Sequence, residues 1–369
     1  MKRSTINRMG LLLLGAVLAL SVTAYAQTGC GLHYVAAGDD IPAGHDVSED
    51  ERYPNKLMTT HLNTWGAWCE YDIAKNGTTS ATYITGGQLA QTWNYRPDLI
   101  TLQVGEQNTT IVNVIKSCFD KVKSHDFAGA NACAAALLGN FTLWSNLNSN
   151  LITTQQQYRM ILAGRPRLVV AVMGYPNPYP KSLDAAAKIA ELCTPLIDTI
   201  PTCTIRWVQL PPALLLLDQV IVKLNTTIAN AVAPFANSTA GRFVFVPTYD
   251  KLRDHCMEMK VTIKTKVEHP EEEGAVHQHD SPEVNFGCSE SWFKAGDDGT
   301  DTPFYLIPAA IGVLIEESQT TKGMGVYPNA DGHKCIQDLI WEADTIDPGV
   351  SPLKWKLGIP EAPKSDICQ

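Results

Sequence analysis

The chemistry of this chain concentrates in residues 35–46, VAAGDDIPAGHD, where an apolar run ends in Gly38-Asp39-Asp40. A strand that stops at a glycine presents the side chains that follow it at its carboxyl end, the usual place for a site in a parallel sheet. The group presented is a carboxylate, Asp40. Three other polar turns follow apolar runs: Lys75-Asn76-Gly77-Thr78-Thr79, Gly105-Glu106-Gln107-Asn108, and Gly325-Val326-Tyr327-Pro328-Asn329 before a helical pattern from about Asp331. Asp39 and Asp40, with His45 or Asp46, would be oxygen-rich ligands for a divalent cation, although adjacent carboxylates ordinarily point apart. The group His269, Glu271, Glu272, Glu273, His277, His279 and Asp280 matches no defined metal-site spacing and reads as a solvated acidic loop. No metal and no cofactor is expected.

The elements that must position these turns alternate between short apolar runs and longer helical patterns. HYVAA (33–37), CEYDI (69–73), LITLQV (99–104), RLVVAVM (167–173) and RFVFVP (242–247) read as strands, nearly continuous in apolar residues, as strands buried on both faces are. Helical patterns cover Asn55–Leu62, Ile111–Val122, Leu183–Leu192 and Leu214–Ala233, the last stopping before Pro234. Strand and helix in alternation predict one doubly wound domain with a parallel sheet of about five strands. A helical elaboration near 131–164, with Trp144, Leu147, Leu151 and Tyr158 at helical spacing, is expected to cap a sheet edge. Residues 260–301, rich in charge, Gly and His, read as a long surface insertion.

In this order the blocks resemble the SGNH, or GDSL-type, hydrolase family, specifically its secreted, disulfide-bonded esterases and lipases. VAAGDDIPAG is similar to the GDS block, NGTTS to the second block with its glycine, ITLQVGEQN to the GxND block and GVYPNADGH to the DxxHPN block; RPRLVVAVMGYPNPYP and the long helix before FVFVP keep the family's spacing. The resemblance implies a flavodoxin-like, three-layer α/β/α sandwich. It also implies hydrolysis of carbohydrate, lipid or small acyl esters by a Ser activated by His and oriented by Asp. The oxyanion would be held by the nucleophile's own N–H, the second-block glycine and the third-block Asn.

The chain departs from that pattern at its reactive positions. The family Ser falls on Asp40, the His on Tyr327, the orienting Asp on Met324, and the GxND Asn on Gln107 with Asn108 beside it; Gly77 is kept. A carboxylate beside a developing oxyanion opposes the transition state. A phenol with an ordinary pKa near ~10 is a poor base, and a methionine orients nothing. The oxyanion positions Asp40, Gly77, Gln107 and Asn108 are the least altered. These substitutions imply an ester-hydrolase-class protein with lost or altered serine-esterase activity and a cleft for a small-molecule, acyl-ester or glycan ligand. One alternative is an active hydrolase with Asp40 as nucleophile, which needs His45 or His333 as base, though a histidine at position 333 is more often capping or surface. The other is a non-catalytic secreted interaction protein. Trp65, Trp68 and Trp93 could stack on sugars, but tryptophans are more often packed.

Composition frames the setting. Lys2, Arg3 and Arg8 precede the twelve-residue apolar run Leu11–Val22, and Ala24-Tyr25-Ala26 follows, so residues 1–26 read as a signal peptide and 27–369 as the domain. No later run reaches the ~20 apolar residues that span a bilayer, so no stable membrane anchor is expected. Removing those cations takes the formal charge from −9 to −12, and the acidic balance argues against a nucleic-acid partner. A secreted, extracellular chain is expected, periplasmic if bacterial, and a monomer. The ten cysteines suggest local disulfides: Cys30–Cys69, Cys118–Cys133, Cys193–Cys203, Cys256–Cys288 and Cys335–Cys368. Sequons at Asn76, Asn108, Asn140, Asn225 and Asn237 would accept glycans in a eukaryotic host.

Overall fold

The computed structural model describes residues 29–109, 126–162, 168–178, 210–238, 242–249, 252–255 and 327–341, the strands of 260–322, and a few single residues between these segments. Five strands, β1 (Leu32–Gly38), β2 (Trp68–Asp72), β3 (Leu99–Gln103), β4 (Val169–Met173) and β5 (Phe243–Val246), form a parallel sheet in the order β2-β1-β3-β4-β5. This is the flavodoxin-like order of a three-layer α/β/α sandwich. All residues of β3 and β4 are buried, which explains their unbroken apolar sequence.

Strand β1 has β2 on one side and β3 on the other, so the connections leaving β1 and β3 diverge at their carboxyl ends, the place where sheets of this order bind ligands. Gly38 closes β1 opposite Gln103, with φ +136° and its Cα so near that a Cβ would lie 1.8 Å from the Gln103 carbonyl oxygen. Only glycine fits, and the Asp39 N–H then donates to that same carbonyl at 2.9 Å. The two aspartates are thereby launched from a fixed point.

Around the sheet lie α1 (Tyr53–Thr60), α2 (Ser80–Thr85), α3 (Gln88–Asn94), the single turn α4 (Glu106–Thr109), α5 (Phe127–Gly139), α6 (Phe141–Leu162), α7 (Leu210–Ser238) and α8 (Ala330–Trp341). Helix α7 packs Leu217, Val220, Ile221, Leu224, Ile228, Ala231 and Val232 inward at helical spacing. It runs past the expected stop at Pro234 because Phe235, one residue on, is buried against Phe243 of β5. Its start at Leu210 takes in Pro211 and Pro212, tolerated in a first turn whose N–H groups lack helical partners.

The helical elaboration is present as α5 and α6, but it packs on α7 and on α2 and α4 rather than on an edge strand. Trp144, Leu147, Leu151 and Tyr158 are its buried face; Leu147 sits against Gly105, and the Tyr158 hydroxyl meets that of Tyr83 in α2. The insertion is also more than a loop. Strands β6 (Lys260–Glu268), β7 (Val276–Asp280), β8 (Val284–Asn285), β9 (Thr300–Leu306) and β10 (Leu314–Lys322) form a separate antiparallel sheet, β7-β6-β10-β9 with β8 on β6, and it extends to 322 rather than 301. The charge content suggested a loop, yet Lys260–Glu268, KVTIKTKVE, alternates apolar and charged residues with the period of a strand.

Disulfides Cys30–Cys69 and Cys118–Cys133 are formed. Each loop closure is worth ~3–4 kcal/mol in the chain-entropy account. Cys335 is also disulfide-bonded, while Cys193, Cys203, Cys256, Cys288 and Cys368 lie outside the described residues, as do most of 111–122 and 183–192. Replacing Gly38 with Ala is expected to destabilise the fold by about 2–4 kcal/mol. Chemical denaturation reads this directly, and an unchanged midpoint would contradict the close packing of β1 on β3.

Candidate functional site

Asp40 stands in the turn after β1, which is closed by Ala43 N–H to the Asp39 carbonyl at 3.1 Å and His45 N–H to the Asp40 carbonyl at 2.9 Å. Its side chain is buried, 5% exposed, and its carboxylate is gripped from three directions. Oδ1 accepts from the Gly77 N–H at 2.5 Å; Oδ2 accepts from Gln107 Nε2 at 2.5 Å and from the Tyr327 hydroxyl at 2.9 Å. Hydrogen bonds to an ionised acceptor are short and about twice as strong as neutral ones. Asp40 thus has neutral donors from three separate connections and, among the described residues, no cation paired with it.

Each donor is set by its own loop. After β2, Lys75 N–H donates to the Gly38 carbonyl at 3.1 Å and Thr78 N–H to the Lys75 carbonyl at 3.2 Å, a tight turn in which Gly77 takes φ +76° and aims its N–H at Asp40. Gln88 of α3 braces both strands' ends: its Oε1 accepts from Gly38 N–H at 3.2 Å, and its Nε2 donates to Thr78 Oγ1 at 2.8 Å. Gln107 lies on α4, which starts from Gly105 at φ +146°. Tyr327 directly precedes α8, whose first turn Asn329 caps by accepting from Asp331 and Gly332 N–H at 3.0 Å each.

Asp39 ties the same ends together one layer deeper. Fully buried, its Oδ2 accepts from Gly105 N–H at 3.2 Å and from the Tyr175 hydroxyl. Tyr175 is itself pinned by Asn225 of α7, whose Oδ1 accepts from Tyr175 N–H at 2.7 Å and whose Nδ2 donates to the Tyr175 carbonyl at 3.0 Å. Tyr175 and Asn225 were not expected as site residues. The sequence signal for Tyr175 was its place directly after β4 in GYPNP, whereas Asn225 carried only its sequon.

Among the residues expected at the site, the structure brings Asp40, Gly77, Gln107 and Tyr327 together. Asn108 turns away: its Oδ1 accepts from Ser80 N–H at 2.5 Å and its Nδ2 donates to Ser80 Oγ at 2.7 Å, fastening α4 to α2. Met324 lies outside the described residues. His45 sits edge-on to Tyr327, ring centroids 4.4 Å apart, with Nε2 3.6 Å from Asp46 Oδ2. His333 is not on the surface; it is buried beneath α1, where its Nδ1 accepts from the N–H of Tyr53, the first residue of that helix, at 3.2 Å. Trp68 is buried, while Trp65 and Trp93 are exposed. Among the described residues no group of three or more His, Cys, Asp or Glu side chains is placed to hold a metal ion.

The electrostatics follow from three carboxyl groups, Asp39, Asp40 and Glu106, buried at adjoining strand ends. Burial first, then the Asp40 charge, pushes Asp39 up to about 8 against the opposing bonds from Tyr175 and Gly105. Glu106 is raised well above the carboxylate range by burial and then by Asp39 and Asp40. Tyr327 is raised far above an ordinary phenol by burial, then by Glu106 and Asp40. It therefore stays protonated as a donor and does not serve as a base.

No protein-family model matches the chain, and no curated protein matches it at a significant level. Among solved structures it is similar to an extracellular lipase from Streptomyces rimosus, at 14% identity over 85% of this chain and 99% of that one, with a TM-score of 0.47. A phospholipase A1 from Streptomyces albidoflavus is similar at 14% identity over 82% and 94%, TM-score 0.45. A member of the lipolytic G-D-S-L family from Veillonella parvula is similar at 10% identity over 85% and 98%, TM-score 0.39. These likenesses carry no argument about activity, and the fold stands on the strand order.

The raised Asp39 gives stability a pH signature. Because its folded pKa of about 8 exceeds the unfolded value near ~4, its contribution is complete below pH ~4 and is lost as pH rises through about 8. His333, lowered to about 3 chiefly by burial, acts in the opposite sense: its contribution is present above ~6.5 and is lost as pH falls toward about 3. Asp39→Asn is therefore expected to flatten the alkaline decline in denaturation midpoint between pH 5 and 8 without altering the acid limb. An alkaline limb identical to that of the unaltered chain would contradict the assignment.

Proposed function

We propose that this chain is a secreted, monomeric protein of the ester-hydrolase class that binds an acyl or glycan ester in its crevice without serine-type turnover. One observation carries the reading: the carboxylate of Asp40 fills the donor cradle where a hydrolase of this fold would hold a developing oxyanion. An attacking hydroxyl is missing at Asp40, and Tyr327 keeps its proton. An Asp-nucleophile route is disfavoured by the same contacts, because three donors withdraw the electron density that Asp40 would need to attack, and the ester so formed would need a base to activate water. His45, beside Tyr327, is the histidine that route would have to recruit.

The formed disulfides favour an oxidising compartment, and no described helix is long and apolar enough to cross a membrane. If the host glycosylates, exposed Asn76 and Asn140 are the acceptors to expect. Asn225 is buried in its bonds to Tyr175, and Asn108 is committed to Ser80. The side chain of Asn237 lies outside the described residues.

The test pairs p-nitrophenyl acetate with a serine-directed phosphonate. The unaltered protein is expected to show neither turnover nor labelling, whereas the triple variant Asp40→Ser, Tyr327→His, Met324→Asp should gain both. Turnover by the unaltered protein that disappears in Asp40→Ala would instead establish Asp40 as a nucleophile. A folded triple variant that stays inert would show that the cradle no longer accepts an oxyanion.

A further inference from the structure

The donors around Asp40 engage both oxygens of its carboxylate. Three neutral donors from separate connections converge on one carboxylate, at 2.5, 2.5 and 2.9 Å, and two of them share Oδ2 while the third takes Oδ1. The grip is built independently of Asp40: Gly77 is set by the Lys75–Thr78 turn and Gln88, Gln107 by α4, and Tyr327 by its place before the Asn329 cap. A second carboxylate would meet no compensating cation there, because neither Asp39 nor Asp40 is paired with one among the described residues.

We infer that the cradle is a carboxylate-binding site occupied by the chain's own Asp40, a tethered ligand that shuts out carboxylate-bearing molecules and leaves the crevice to uncharged esters or sugars. This specificity rests on the reading of the crevice as a binding site without turnover. The physical reason is effective concentration. A tethered carboxylate needs no translational entropy to bind, so a free carboxylate must displace it against both its local concentration and its charge. The same contacts that oppose nucleophilic attack by Asp40 thus also define which ligand ends the crevice refuses.

The experiment removes the tether and asks for the ligand back. Asp40→Gly is titrated with sodium formate or acetate at pH 7 and its thermal unfolding followed, with sodium chloride as the ionic-strength control and acetamide as the neutral isostere. The variant is expected to be stabilised saturably by the carboxylates alone, its folded-to-unfolded ratio rising about tenfold at ten times the Kd. The unaltered protein should show no difference between acetate and chloride. Adding Tyr327→Phe to Asp40→Gly should weaken acetate binding about tenfold, the loss of one hydrogen bond to a charged group. Equal effects of acetate, acetamide and chloride on a folded Asp40→Gly would overturn the inference, as would an acetate-specific shift in the unaltered chain. If Asp40→Gly folds only with help, refolding yield becomes the readout: recovery with acetate but not acetamide supports the site, and equal recovery with both, or with neither, refutes it. Ester turnover enters none of these measurements, so an active enzyme with a working carboxylate cradle, or an inert one without it, would each be recognised.

Discussion

A carboxylate group taken out of water needs hydrogen bonds in place of those it loses, and in this molecule that requirement is met at Asp40 by groups from the ends of three different connections. Gly77 brings the turn after β2, Gln107 the turn after β3, and Tyr327 the segment entering α8. Because those segments are far apart in sequence, the one side chain fastens the crevice at the point where the strand order reverses. Asp39 does the equivalent work below, joining the ends of β1, β3 and β4 through Gly105 and Tyr175.

The cost is visible in the neighbouring groups. Three carboxyls within one buried region cannot all ionise cheaply, so Asp39 and Glu106 are driven toward the neutral form and Tyr327 is held protonated. A catalytic site commonly splits the pKa values of its acid and base so that protons can move between them. Here the Asp40 acceptor is saturated with donors, and its tyrosine neighbour cannot release a proton near neutral pH.

Much of this was legible in the sequence because it depends on local rules. The five apolar runs gave the strands, and Gly38 and Gly77 marked the places where backbone approaches too closely, or turns too sharply, for a side chain. The order of the blocks grouped Gly77, Gln107 and Tyr327 with Asp40, though not the hydrogen bonds they give it. The role of Asn108 could not, since whether it or Gln107 faces the crevice depends on a single-turn helix whose rotation is set by Ser80 packing. Tyr175 and Asn225 were hidden for a related reason: a backbone peptide and a side-chain amide 50 residues apart acquire meaning only when α7 is laid against the end of β4. The strands of 260–322 were obscured by their charge, because alternation along an antiparallel strand looks like polarity when read only as composition.

The Gly77 amide isolates the central interaction better than any other atom. Gly77 is exposed on a turn, and its N–H is held by the carboxylate of Asp40. Native-state hydrogen exchange, resolved at that residue, should find the amide protected in the unaltered protein and exchanging at the rate of its exposed neighbour Asn76 in Asp40→Ala. Exchange as fast at Gly77 as at Asn76 in the unaltered protein would mean that Asp40 does not occupy the cradle, and the account of the crevice would fall with it.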